Sequence, residues 1–172
     1  DMDQSRIRGI GAGKLNAKAE LGRKIYFDAR FSEPSGMQSC SSCHLPQQGY
    51  VGMGDVPSGP NTRGFKMGMG EGAVSGAFGG RKPPSAAYAT FSPAFTFDAI
   101  NDEFIGGLFW DGRAKNLEEQ AQIPLTSKIE MHQDMKVLPK KLARIKGYLP
   151  LFRAAFGTPE ITTERIFKSI AD

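Results

Sequence analysis

The chain has 172 residues, 40% of them hydrophobic and 23% charged, with a formal charge of +4, enough for one domain with a buried core. No stretch approaches the ~18 apolar residues of a membrane-crossing helix, and no apolar leader follows Asp1-Met2-Asp3, so any export signal is expected to have been removed. A surplus of four positive charges, without aromatics interleaved among the basic residues, argues against a nucleic-acid partner.

In chain order, residues 17–27 (AKAELGRKIYF) place Leu21 and Ile25 one helical turn apart and predict a helix. Residues 49–80 hold eleven of the 21 glycines, together with Pro57 and Pro60 and no apolar periodicity, and read as a long loop. Residues 114–122 are strong helix formers stopped by Pro124. Residues 139–146 begin with Pro139 in a first turn, align Leu138, Leu142 and Ile145 on one face and end near Gly147. A helix over 149–156 ends at Gly157, and one over 163–171 follows a Thr162 cap with Ile166, Phe167 and Ile170 apolar. No run alternates with period two. The class is therefore mainly α, one helical domain over residues 1–172 with a long Gly-rich loop. The chain ends just past the stripe of its last helix, whose apolar face around Ile166 and Ile170 is expected to pack on something beyond this chain.

Two cysteines cannot build a disulfide framework, but residues 40–44 read Cys-Ser-Ser-Cys-His. C-x-x-C-H is the attachment signature of a c-type haem. Cysteines at i and i+3 share one helical turn, so both sulfurs can reach one porphyrin, and the adjacent His44 falls where it can ligate the iron. Zinc is the rival, but beyond Cys40 and Cys43 only His44 and His132 remain as soft ligands, and His44 directly follows Cys43. A thioredoxin-like redox pair would need a βαβ surround that the sequence lacks. A covalent haem implies an export-side, periplasmic location. On the opposite face of the iron, Met67 or Met69 could close it as a sixth ligand, or could simply fill gaps in the loop; Met53, Met131, Met135 and His132 are more distant candidates.

Further segments resemble the bacterial di-haem cytochrome c peroxidase family, which includes the MauG-type enzymes. They are LGRKIYFDARFS (21–32), CSSCH with Gly49 in QQGY, GRKPPSAAYA (80–89), FWDGRAKNLEEQA (109–121), IEM (129–131) and KGYLPLFRAAFG (146–157). The resemblance implies a cytochrome c-like helical domain, the N-terminal half of a two-haem architecture, carrying the haem that reacts with hydrogen peroxide. A second haem domain or subunit, not in this chain, and a small electron-donor protein would supply electrons. Residues 45–79 contain no histidine, which moves the chain toward members with an open iron. Lys82 stands where the family has an asparagine that helps hold calcium, and a cation cannot do that. Segment 90–108 is longer than in the shorter members.

The same resemblance implies roles. Glu130 is the candidate general acid/base that moves a proton between the peroxide oxygens; otherwise it is a solvent-facing glutamate beside Lys128. Gln120 would orient peroxide or water through hydrogen bonds, or else sits exposed on a helix. Trp110, the only tryptophan, would relay electrons between haems, or anchor the core, or do both. Asp111 and Arg113 are read as a structural link setting the turn at Gly112. A basic run from Lys136 to Arg153 is a solvated face or a surface for an acidic redox partner. A mono-haem electron-transfer cytochrome, closed by Met67 or Met69, is the alternative function.

Overall fold

A computed structural model describes residues 14–60 and 63–172. Among the described residues six α-helices carry the architecture: α1 (Ala17–Phe27), α2 (Cys40–Cys43), α3 (Leu117–Thr126), α4 (Leu138–Arg144), α5 (Tyr148–Phe156) and α6 (Thr163–Ala171). Their ends follow the local chemistry. Asn16 caps α1 by accepting from the Lys18 and Ala19 amides at 2.8 and 2.9 Å. Thr162 caps α6 through the Arg165 amide at 3.2 Å, and Gly157 ends α5 in the left-handed conformation, φ 78°.

Helix α1 packs against α5 and α6, and α3 packs against α6. Leu21 and Ile25 from α1, Leu125 from α3, Leu138 and Leu142 from α4, Tyr148 and Phe152 from α5 and Ile166 from α6 meet in one buried core with Phe31 and Met131. Helices α1 and α6 approach so closely that Gly22 has no room for a side chain; a Cβ there would lie 1.8 Å from the Ser169 carbonyl oxygen. Much of the apolar face of α6, expected to pack beyond this chain, is thereby spent inside it. Ile166 is fully buried inside the domain, and Ile170 is half-buried against the same core.

Three further details differ from the sequence reading. Helix α3 runs through Pro124 to Thr126; proline costs it one amide donor, but the turn beyond is held by Ser127 bonding Ile123 and by the Thr126 hydroxyl bonding Gln122. Two antiparallel hairpins appear where no strand is predicted. Strand β1 (Phe65–Lys66) pairs β2 (Met69–Gly70), and β3 (Thr96–Asp98) pairs β4 (Glu103–Ile105). Strands of two or three residues are too short to show period-two alternation. The chain nonetheless remains mainly helical. Third, the Gly-rich loop is braced: Gly64, Phe65, Gly68 and the run from Gly70 to Ala73 are buried.

Candidate functional site

Helix α2 is a single turn, tied by the Ser39 amide donating to Ser42 Oγ at 3.0 Å. That turn brings both Cys40 and Cys43 to the wall of one cavity, followed at once by His44. His44 Nδ1 lies 3.0 Å from the Pro84 carbonyl and 3.2 Å from the Tyr50 carbonyl. Two acceptors assign the proton to Nδ1 and leave the Nε2 lone pair free. Burial lowers the pKa of His44, outweighing the two carbonyls that favour its charged form, so the ring is neutral, as a metal ligand must be. Burial, helped by their neighbours Cys43 and Glu130, pushes both thiols up to about 12. As free thiols they would be protonated and unreactive at neutral pH.

The cavity has two connected lobes of about 310 and 400 Å³ that share Cys43, His44, Gln120, Pro124 and Glu130, a size usual for a cofactor site. Its wall leaves polar atoms unanswered. The Tyr26 hydroxyl and Gln38 Oε1 are buried without a hydrogen-bond partner, and Gln38 Nε2 lies 2.9 Å from Cys43 Sγ. Orphaned polar atoms in a largely apolar wall suit a large group carrying polar atoms of its own. Two sulfurs, a neutral imidazole with a free Nε2 and this cavity fit a haem c. The zinc reading lacks a ligand set: among the described residues no group of three or more His, Cys, Asp and Glu side chains is placed to hold a metal ion.

Gln120, on α3, and Glu130, in the turn after it, both line the two lobes with His44. The Glu130 backbone is fixed from both sides: its amide donates to Ser127 at 3.1 Å and its carbonyl accepts from Ala73 at 2.6 Å. Burial raises the Glu130 pKa against the opposing pull of Arg113, so it is not the solvent-facing glutamate that its neighbour Lys128 suggests. Arg113 stands over the Phe109 ring at 3.7 Å and bonds Asp111 at 2.7 Å. Asp111 also bonds Arg81 at 2.7 Å, and the two arginines, Arg113 foremost, hold its carboxyl at about 2. The link between Asp111 and Arg113 is as read from the sequence, but the pull of Arg113 on Glu130 was not foreseen.

Trp110 lines the larger lobe yet is 64% exposed, with Nε1 donating to the Lys82 carbonyl at 2.8 Å. It does not anchor the core. Met67 is 76% exposed, and neither it nor Met69 lines the cavity; Met131 does. The reading with Met67 or Met69 as sixth ligand therefore finds no support in the geometry. His132 is exposed and also stands off the cavity. Sequence reasoning did not place Pro124 or Arg113 on this wall and offered Met131 only as a more distant ligand candidate; their flanking of the Gln120 and Glu130 segments was the signal that could have placed them.

The model of the di-haem cytochrome c peroxidase family matches residues 16–172. The chain belongs to this family, whose members bind haem c. It is 34% identical over 154 residues to the methylamine utilization protein MauG of Methylophilus methylotrophus, covering 90% of this chain and 38% of that protein. To the cytochrome c551 peroxidase of Pseudomonas aeruginosa it is 34% identical over 137 residues, 80% of this chain and 32% of that one. Among solved structures, the diheme peroxidase BthA of Burkholderia thailandensis superposes with a TM-score of 0.74 at 30% identity, over 92% of this chain and 38% of that one. The chain thus spans about a third of the length of these relatives, and its mainly helical fold is shared with part of a diheme peroxidase.

Proposed function

We propose that this chain is the peroxide-reacting, N-terminal haem domain of a periplasmic di-haem peroxidase of the cytochrome c peroxidase/MauG type. Cys40 and Cys43 would carry the haem, and His44 Nε2 would ligate its iron. Electrons would come from a second haem domain or subunit, itself served by a small electron-donor protein, with Trp110 on the route. The observation that carries the reading is Glu130: a carboxyl with a raised pKa, sharing one cavity with His44 and Gln120.

Bound there, the haem supplies the redox centre at which peroxide takes up two electrons. The remaining work falls to the chain. Reduction of hydrogen peroxide to two waters consumes two protons, and one proton must first pass from one peroxide oxygen to the other. Glu130 can accept it and return it, because burial keeps its proton affinity above that of an exposed carboxylate while Arg113 still permits the ionised form. The Gln120 amide offers both a donor and an acceptor to orient peroxide. Neither Met67 nor Met69 lines the cavity, which argues against the electron-transfer alternative built on either of them.

Glu130→Gln tests the proton and not the packing. It is expected to slow the reaction of the resting holoprotein with peroxide by ~10²–10⁴-fold, read by rapid mixing at the Soret band. A variant as fast as wild type would remove Glu130 from the mechanism.

A further inference from the structure

Glu71 is a second buried carboxylate, 2% exposed, which the chemistry above does not use. It sits in the Gly-rich loop rather than on the cavity wall. One oxygen accepts from the Gly76 amide at 2.7 Å and faces Arg63 at 3.7 Å. The other accepts from the Gly64 amide at 3.2 Å and from the Ser58 hydroxyl. A single side chain thus ties four points of the loop, every one of them a donor.

The turn gathered by Glu71 is wedged between the two halves of the candidate site. On one side Gly70 lies against Cys43; a Cβ there would be 2.4 Å from Sγ. On the other side Gly72 lies against the strip carrying Glu130; a Cβ on Gly72 would be 2.2 Å from the Ile129 carbonyl oxygen and 2.8 Å from that of Glu130. The next residue, Ala73, donates its amide to the Glu130 carbonyl at 2.6 Å. Gly72 itself is held by its amide bonding Ala77 at 2.7 Å. With glycine at 70 and 72 there is no side chain to absorb movement, so a shift of the turn is passed on as a shift of the Glu130 backbone.

We infer that Glu71 is a positioning residue for Glu130, setting through Gly72 and Ala73 where that carboxyl stands in the cavity. The inference rests on the proton-moving role proposed for Glu130. Burial alone would raise the pKa of Glu71, but the bonds from Gly76, Ser58 and Gly64 and the charge of Arg63 hold it below the usual range, so it stays an acceptor on all sides. Glu71→Gln keeps the size but turns one acceptor into an NH₂ group. Either the Gly64 or the Gly76 amide then faces another donor, and Arg63 loses its counter-charge. A displacement of about 1 Å at a reacting group costs up to ~10²-fold in rate.

The test uses the holoprotein with two probes, hydrogen peroxide for rate and carbon monoxide on the reduced protein for geometry. The carbon monoxide stretching band senses the polar groups over the iron, and the share due to Glu130 is the change seen in Glu130→Gln. In Glu71→Gln the band is expected to move toward its Glu130→Gln position, and the peroxide rate to fall ~10–100-fold. In the Glu130→Gln background, Glu71→Gln is expected to cost nothing further, because both act through one group. Ser58→Ala, which removes one donor and no charge, is expected to act in the same direction with smaller size, and serves if Glu71→Gln does not fold. A band unmoved by either variant, or rate losses that multiply in the double variant, would overturn the positioning role. A Glu130→Gln protein with wild-type rate would instead overturn the role of Glu130 itself, and its positioning with it.

Discussion

Gly22→Ala separates helix propensity from packing. By propensity alone, alanine in the middle of α1 stabilises by about 1 kcal/mol. The structure demands the opposite sign. The new Cβ would lie 1.8 Å from the Ser169 carbonyl oxygen and 2.6 Å from its carbon, where a carbon–oxygen contact needs about 3.3 Å. Relief requires α1 and α6 to part by roughly 1.5 Å to restore that contact, loosening the seat of the fully buried Ile166. Overpacking of this kind costs ~1–3 kcal/mol, and backbone cannot swing aside as a side chain can, so the upper value applies. Subtracting the propensity gain leaves a net loss of about 2 kcal/mol, or about 4–8 °C in Tm for a domain of this size. Thermal unfolding of the holoprotein followed by far-ultraviolet circular dichroism measures it. A Tm equal to or above wild type would refute the close crossing of α1 and α6.

Two other outcomes follow from the structure. Tyr148 donates to the buried Asp28 at 2.9 Å, and Arg30 adds a bond at 2.8 Å; burial pushes the Asp28 pKa up, but Arg30 and Tyr148 outweigh it and hold it low. A depressed carboxylate contributes stability above its unfolded pKa of about 3.9, lost as pH falls through the lower folded value. Tyr148→Phe is therefore expected to cost ~1.5–3 kcal/mol at pH 7 and much less near pH 2, by urea denaturation; an equal loss at both would refute the linkage. Trp110→Phe is expected to change stability by under ~0.5 kcal/mol, since the ring is exposed, yet, on the function proposed above, to slow electron delivery to the haem in stopped-flow measurements. A large loss of Tm with unchanged electron transfer would make Trp110 structural after all.

The attachment motif was legible because its chemistry is local: Cys40, Cys43 and His44 share one turn whatever surrounds them. Helices α1, α5 and α6 were legible to within a residue or so, since Thr162 and Gly157 mark their ends and Leu21, Ile25 and Ile166 their inner faces. The partner of the α6 face was not, because it depends on what Gly22 lacks, and an absent side chain leaves no periodic signal. Pro124 was read as a stop because the rule treats proline locally, whereas Ser127 and Thr126 repair the turn beyond it. Gln120 and Glu130 were placed by resemblance to the family; composition would not have singled them out. Glu71 escaped because a buried carboxylate amid glycines looks like any loop acid until its four donors are in place.

The bracing of the Gly-rich loop reverses what a protease would be expected to find. By composition, residues 63–80 are the natural place for a nick, but a protease needs several residues of free, extended backbone in its cleft. Here Gly64, Phe65, Gly68 and the run from Gly70 to Ala73 are buried, and the amides of Gly64, Phe65, Gly72 and Ala73 are bonded inward to Glu71, Val56, Ala77 and Glu130. The turn joining β3 and β4 is the softer target, with Ile100 93% exposed at its tip. Glycine in the loop provides close approach of backbone to backbone, and the buried stretches of a segment that looks flexible on paper are expected to resist digestion.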